Sequence, residues 1–185
     1  MSDQEREHVA IGAAVGAGCR PCTRYHVKVA ISSGLTPEDI REDIEEAELV
    51  RIDAAMSIAV YARGLTGDAA KHESAVCSPE SRSRALAQVG AATGANAGHL
   101  LDALLPQARG LGLADEALAE AVAVASKVKE VAGNFFAKDA ERALAGRKTV
   151  AAPLNAGDCT QAEAPADEPV TVAAAADQPS KSGCC

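Results

Sequence analysis

The 185-residue chain is predicted to be all-α, with two internal helical repeats followed by a disordered C-terminal tail. Three observations lead to this. Nearly half the residues are hydrophobic, yet there are only two Phe, two Tyr and no Trp, so alanine and small aliphatics must build the core. Such a core favours closely packed helices over sheets, which draw on β-branched and aromatic residues. Sliding the chain along itself lays Ile11-Gly-Ala-Ala-Val-Gly-Ala17 on Val89-Gly-Ala-Ala-Thr-Gly-Ala95. Finally, the texture changes from Gly146 onward, where half of the eight prolines fall and no aromatic residue occurs.

Taken in order, the first helix is predicted from Asp3 to about Val15, with Glu7, Ile11 and Val15 on one face. Gly16-Ala-Gly18 breaks it. A second helix runs from about Arg20 to Ser32 and is terminated by Gly34. Thr36-Pro37-Glu38-Asp39 is a strong start: Thr as N-cap, Pro in the first turn, acids near the positive end of the dipole. Helical character continues to Arg63, with a break near Leu49 and a buried stripe of Ile52, Ala55, Met56, Ala59 and Val60.

The repeat supplies the second half. The shift that places Ile11 on Val89 also carries Arg6 onto Arg84, Gly34-Leu35 onto Gly112-Leu113, Glu38 onto Glu116, Glu42 onto Glu120 and Val50 onto Val128. Glycines matching at matching breaks are the informative part, because alanine matches come cheaply in so Ala-rich a chain. The division is repeat 1 at residues 1–65, a linker at 66–80, a structural repeat 2 at 81–145, and an Ala/Pro-rich tail at 146–185. Too little apolar surface is available in the tail to offset the entropy of ordering it.

Composition also excludes functions. A net charge of −8 repels phosphate, and few rings are present for bases to stack on, so nucleic acid is not the expected partner. No apolar run is long enough to span a membrane. The polar start MSDQEREH is not a secretory signal, so a cytoplasmic location is expected. With no export signal, a framework of structural disulfides is not expected from the six cysteines.

The repeat isolates the chemistry. Glu7, Cys19, Cys22 and His26 correspond to Ala85, Ala97, Leu100 and Leu104, so four polar or reactive positions become apolar in the second unit. Cys19 and Cys22 are three apart, within disulfide reach on the first turn of a helix, and Pro21 suits that turn. A thiol at a helix N-terminus feels the positive end of the dipole, which favours the thiolate. His26 lies one turn beyond Cys22 on the same face, placed to accept a thiol proton, and Glu7 can hold the other ring nitrogen. Other readings compete. A zinc site can use Cys19, Cys22 and His26 with a fourth ligand. Two small buried cysteines beside a surface histidine is the plainest alternative. A c-type haem site is rejected, because Thr23 stands where its histidine must be.

The pattern Glu-x11-Cys-x2-Cys-x3-His, met by Glu7, Cys19, Cys22 and His26, resembles the AhpD-like alkylhydroperoxidases within the carboxymuconolactone decarboxylase superfamily. Gly34-Leu-Thr-Pro-Glu-Asp-Ile40 also resembles the segment after that family's catalytic helix, and the likeness extends over about residues 3–145. It implies the AhpD-like helical fold, no cofactor, and a peroxidase or disulfide reductase cycling a Cys19–Cys22 dithiol. By the resemblance Cys22 attacks a hydroperoxide, Cys19 resolves the sulfenic acid as a disulfide, and His26 with Glu7 relays the proton. The implied partners are a hydroperoxide or disulfide substrate, a dithiol reductant and two further copies in a homotrimer. Pro21 stands where AhpD itself carries a second histidine, which shifts weight toward thiol–disulfide exchange. The decarboxylase branch lacks the paired cysteines, so decarboxylation is not expected.

The chain ends Ser182-Gly183-Cys184-Cys185. A vicinal dithiol on such an arm resembles the C-terminal arm of mercuric reductases. An unconstrained arm of this length reaches roughly 35 Å, so it can visit Cys19 and Cys22 at an effective concentration of order mM. Two uses follow: re-reduction of the site, or binding and transfer of a thiophilic metal or metalloid through Cys184, Cys185 and the CxxC. Cys159 can join either, and Cys77 is given no role. The seven acids of Glu38–Glu48 read as a solvated helix face, and His8, His72 and His99 as ordinary surface or half-buried residues.

Overall fold

In a computed structural model of the protein, residues 1–67 and 71–147 are described, the last two by backbone alone. The predicted tail beyond Arg147, with Cys159, Cys184 and Cys185, lies outside them. The described residues form six helices and no strand: α1 (Asp3–Gly16), α2 (Arg20–Ser32), α3 (Pro37–Gly64), α4 (Arg82–Gly94), α5 (Gly98–Gly110) and α6 (Asp115–Arg147). The offset of the sequence repeat carries the bounds of α2 onto those of α5, and the start of α3 onto that of α6. The turns follow the same offset. Gly34 and Gly112 both take positive φ after α2 and α5, and Gly18, at φ 67°, corresponds to Asn96, at φ 61°. Asparagine is among the few side chains that tolerate this region.

The centre is the pair α1 and α4. Val9, Ala10, Ile11, Ala13 and Ala14 on one, and Ala85, Leu86, Ala87, Val89, Ala91 and Ala92 on the other, are essentially inaccessible. Glycine makes this possible. A Cβ on Gly12 or Gly16 would lie 2.1 or 2.4 Å from the carbonyl oxygen of Ala87 or Ala91. A Cβ on Gly90 or Gly94 would lie 2.2 or 2.4 Å from that of Val9 or Ala13. Gly12 is the counterpart of Gly90, and Val9 of Ala87, so the contacts are exchanged as in a two-fold interface. The duplicated glycine motif is therefore a backbone-to-backbone seam. Gly16 belongs to α1 rather than to the break after it.

Around this pair, α3 and α6 each pack on both α1 and α4, α2 packs on α1, and α5 on α4. Helix α1 starts in a capping box, with Glu5 N donating to Ser2 Oγ and Ser2 N to Glu5 Oε2. Thr36 caps α3 as expected, through Asp39. Two expectations for α3 fail. It is unbroken at Leu49, since neither Gly nor Pro interrupts it between Pro37 and Gly64. The stripe of Ile52, Ala55, Met56, Ala59 and Val60 is not buried: Ile52 and Met56 are about half exposed. The inward residues are Ile40, Asp43, Glu46, Ala47, Val50, Asp53 and Ala54.

Three inward residues of α3 are acids, so its acidic run is not simply a solvated face. Asp43 takes His8 Nδ1 at 2.7 and 2.9 Å in a buried pair. Burial pushes the Asp43 carboxyl up to about 6, against the pull of the His8 hydrogen bond. Glu46 accepts from Nε2 of the fully buried Gln88 at 2.6 Å, and Arg84 reaches Glu42, Glu46 and Glu80. Asp53 accepts from His72 Nε2 and from Ala75 N, both at 2.9 Å. His8, His72 and His99 thus all have partners, His99 Nε2 meeting Ser57 Oγ at 2.7 Å.

Candidate functional site

Cys19 is the N-cap of α2, and Arg20, Pro21 and Cys22 form its first turn. Helices begin with unpaired backbone N–H groups, and here the Cys19 sulfur accepts from Cys22 N at 3.2 Å. Pro21 removes one donor that would have had no partner. Cys19 is tied back as well, its N–H bonded to Ala14 O and its carbonyl accepting from Thr23 N and Thr23 Oγ1. This turn brings the two Cα atoms to 5.3 Å, and the cysteines are joined as a disulfide. Both residues are nearly buried, at 6% and 4% exposure.

His26 follows Cys22 by one turn. Its Nδ1 lies 3.0 Å from Oε2 of Glu7 on α1, with both side chains largely covered. An ionised carboxylate only accepts, so it holds the proton on Nδ1 and leaves Nε2 as the basic nitrogen. The four residues singled out in the sequence are thus gathered where α1 meets the start of α2.

The two cysteines line different cavities. Cys22 and His26 line one cavity of about 530 Å³, whose far wall is α6 through Val124, Val131 and Phe135. Tyr25 also borders it, its ring edge-on to His26 at 5.0 Å between centroids. Cys19 borders two others, one of about 410 Å³ with Arg20, Arg24 and Arg51, and one of about 450 Å³ walled by α6 through Ala132, Phe135 and Phe136. The sequence reading, which makes the second half structural only, misses the α6 wall. A signal is present in the repeat: Val124 and Val131 correspond to Glu46 and Asp53, an apolar replacement on the face that meets the cysteine helix.

Among the described residues no group of three or more His, Cys, Asp or Glu is arranged to hold a metal ion. The zinc set of Cys19, Cys22 and His26 has both sulfurs bound to each other. Cys184 and Cys185, the other thiols of the metal reading, lie outside the described residues. The Cys77 side chain is exposed, and its carbonyl accepts from Gln88 Nε2. No described helix is long and apolar enough to cross a membrane.

Residues 1–65 match the family model of the carboxymuconolactone decarboxylase family. No curated protein and no solved structure matches the chain. Glu7, Cys19, Cys22 and His26 all fall inside the segment that is similar to the carboxymuconolactone decarboxylase family.

Proposed function

We propose that the protein is a thiol-dependent redox enzyme of the AhpD type that cycles Cys19 and Cys22 between dithiol and disulfide. One observation carries this: the Cys19–Cys22 disulfide sits at a helix N-terminus, and His26, held by Glu7, borders the cavity that Cys22 lines. In the reduced state, His26 Nε2 takes the Cys22 proton, and the start of α2 favours the thiolate. The thiolate attacks the terminal oxygen of a hydroperoxide. The O–O bond breaks, an S–O bond forms, and the alkoxide leaves as alcohol with the proton held at His26. The Cys19 thiol then condenses with the sulfenic acid, releasing water and forming the disulfide. A dithiol reductant restores both thiols by exchange and is itself oxidised to a disulfide. The same dithiol serves a disulfide substrate, with exchange replacing the peroxide step.

The assay is hydroperoxide consumption with dithiothreitol as donor. Wild type turns over, and Cys22→Ser stops. If both remove hydroperoxide equally slowly, the peroxidase reading fails. Stoichiometric arsenite binding that disappears on deleting residues 182–185 would instead favour the metalloid-binding function. A homotrimer is part of the proposal, since the exposed apolar stripe of α3 is left uncovered within one chain. Light scattering measures the assembly.

A further inference from the structure

The α3 side of the disulfide is marked by positive charge. The depression of about 410 Å³ that Cys19 lines there is bordered by Arg20, Arg24 and Arg51. No carboxylate lines it among the described residues, although the chain as a whole carries a net charge of −8. Glu48 shares with Arg51 the adjoining cavity instead. The backbone places one of the three cations. Arg51 Nη1 donates to the Val15 carbonyl at 3.0 Å, and a Cβ on Gly18 would lie 2.7 Å from Arg51 Nη2, so the bare glycine makes room for the guanidinium. Arg20 and Arg24 stand one turn apart on an exposed face of α2. That helix starts at Cys19, and the positive end of its dipole adds to the field.

The repeat ties this set to the cysteines. By the same offset, Arg20, Arg24 and Arg51 correspond to Gly98, Asp102 and Lys129. Lys129 donates to Asn96, the counterpart of Gly18. The unit without the dithiol thus has one cation and one acid where the unit with it has three cations. Guanidinium groups recognise carboxylates through paired hydrogen bonds. Cys19 is also the sulfur that an incoming thiolate should attack. In disulfide exchange the more acidic thiol leaves faster, and Cys22, with His26 one turn beyond it, is the better leaving group. Cys19 is only 6% exposed, which suits a sulfur on a slender molecule rather than one on the face of a folded partner.

Resting on the redox reading above, we propose that Arg20, Arg24 and Arg51 form the binding site of the electron donor, a small thiol that carries a carboxylate. The carboxylate pairs with the guanidinium groups, and the donor thiolate attacks Cys19 Sγ. The Cys19–Cys22 bond breaks, a mixed disulfide forms on Cys19, and Cys22 leaves as thiolate. A second donor thiolate attacks the donor sulfur of the mixed disulfide and expels Cys19. Two donor thiols become one disulfide, and their two protons end on Cys19 and Cys22. The donor enters from the α3 side, through a different cavity from the one that Cys22 lines.

The test follows reduction of the Cys19–Cys22 disulfide in the full-length protein, read by acid quench, alkylation and the mass of the peptide holding both residues. N-acetylcysteine is compared with its amide, which presents the same thiol without the carboxylate. The two thiols differ in acidity, and that difference cancels when the carboxylate-to-amide rate ratio is compared between proteins. Arg24→Gln should lower the ratio about threefold, and Arg24→Gln with Arg51→Gln about tenfold. A fall of fivefold or more in the double variant supports the site, and a smaller change overturns it. Because Arg51 also holds the Val15 carbonyl, Arg20→Gln with Arg24→Gln, both on the surface of α2, is a second double variant judged by the same threshold. A disulfide that neither thiol reduces overturns the site and the redox reading together. An arginine-dependent ratio in a protein that consumes no hydroperoxide sinks the peroxidase reading and keeps the donor site. Hydroperoxide turnover with a ratio that the arginines do not move does the reverse.

Discussion

Replacing Gly12 by alanine sets a helix former against a close helix contact, and the structure predicts which wins. In an open helix the change is favourable by about 1 kcal/mol, because alanine loses less backbone freedom on folding. At Gly12 the new methyl would stand 2.1 Å from the Ala87 carbonyl oxygen, a backbone atom that cannot rotate away. Carbon–oxygen contacts settle at about 3.3 Å, so α1 and α4 must part by about 1 Å. A gap of that size forfeits a quarter to a half of the dispersion attraction across the seam. Overpacking of this kind costs about 1–3 kcal/mol and more where backbone must move. The net expectation is a loss of about 1–3 kcal/mol, read as a lower urea midpoint by far-UV circular dichroism with unchanged slope. Gly133→Ala is the internal control. Nothing lies within 4 Å of a Cβ there, so it should gain roughly 0.5–1 kcal/mol. Because the contacts are reciprocal, Gly90→Ala added to Gly12→Ala should cost less than it does alone, the helices having already parted. Gly12→Ala as stable as Gly133→Ala would refute the backbone seam.

Glu7 positions His26, so Glu7→Gln should slow iodoacetamide labelling of reduced Cys22 about tenfold or more at pH 7. The deficit should shrink at high pH, where the thiol ionises without help, and a pH-independent deficit would count against the relay. Asp43 gives a pH signature. With its carboxyl raised from 3.8 to about 6, the folded state binds the extra proton between those values, so this group's contribution falls as pH rises through that range. Asp43→Asn removes that loss, and its stability relative to wild type should improve from pH 4 to 7 by on the order of 1–3 kcal/mol. A difference that stays constant across urea midpoints at those pH values contradicts this. Gln88→Leu removes the amide that donates to Glu46 and to the Cys77 carbonyl, leaving Glu46 to Arg84, at a cost of about 1–3 kcal/mol. It should also speed amide exchange over residues 72–79, and unaltered exchange there would mean that Gln88 does not hold the linker.

Much of the fold was legible because its signals are local. Thr36 and Pro37 start a helix wherever they stand, and Gly34 ends one. The glycine motif of Gly12 and Gly16, met again at Gly90 and Gly94, announced two like units, although not that its glycines face each other's backbones. The gathering of the candidate site residues was legible for a related reason. Three of its four residues fall within eight positions of one helix start, where spacing translates directly into proximity. What failed had a common cause. The α3 stripe follows a helical period correctly, but a period does not say which face meets the core. The inward face of α3 carries Asp43, Glu46 and Asp53, whose partners His8, Gln88 and His72 come from other elements. A buried acid with a distant partner looks the same in sequence as a solvated one.

The sequence alone thus determined the helical class, the order of elements, the duplication and a dithiol beside a histidine, all consequences of contacts within a few residues or of identity between two segments. Only the tertiary structure decided that α1 and α4 meet backbone to backbone, and that the acidic helix turns Asp43, Glu46 and Asp53 inward. It alone brought α6 of the second half to the cavity that Cys22 of the first half lines. Those three facts depend on groups far apart along the chain, Gly12 with Ala87, His8 with Asp43 and Cys22 with Val131, and their energies arise only once the chain has closed on itself.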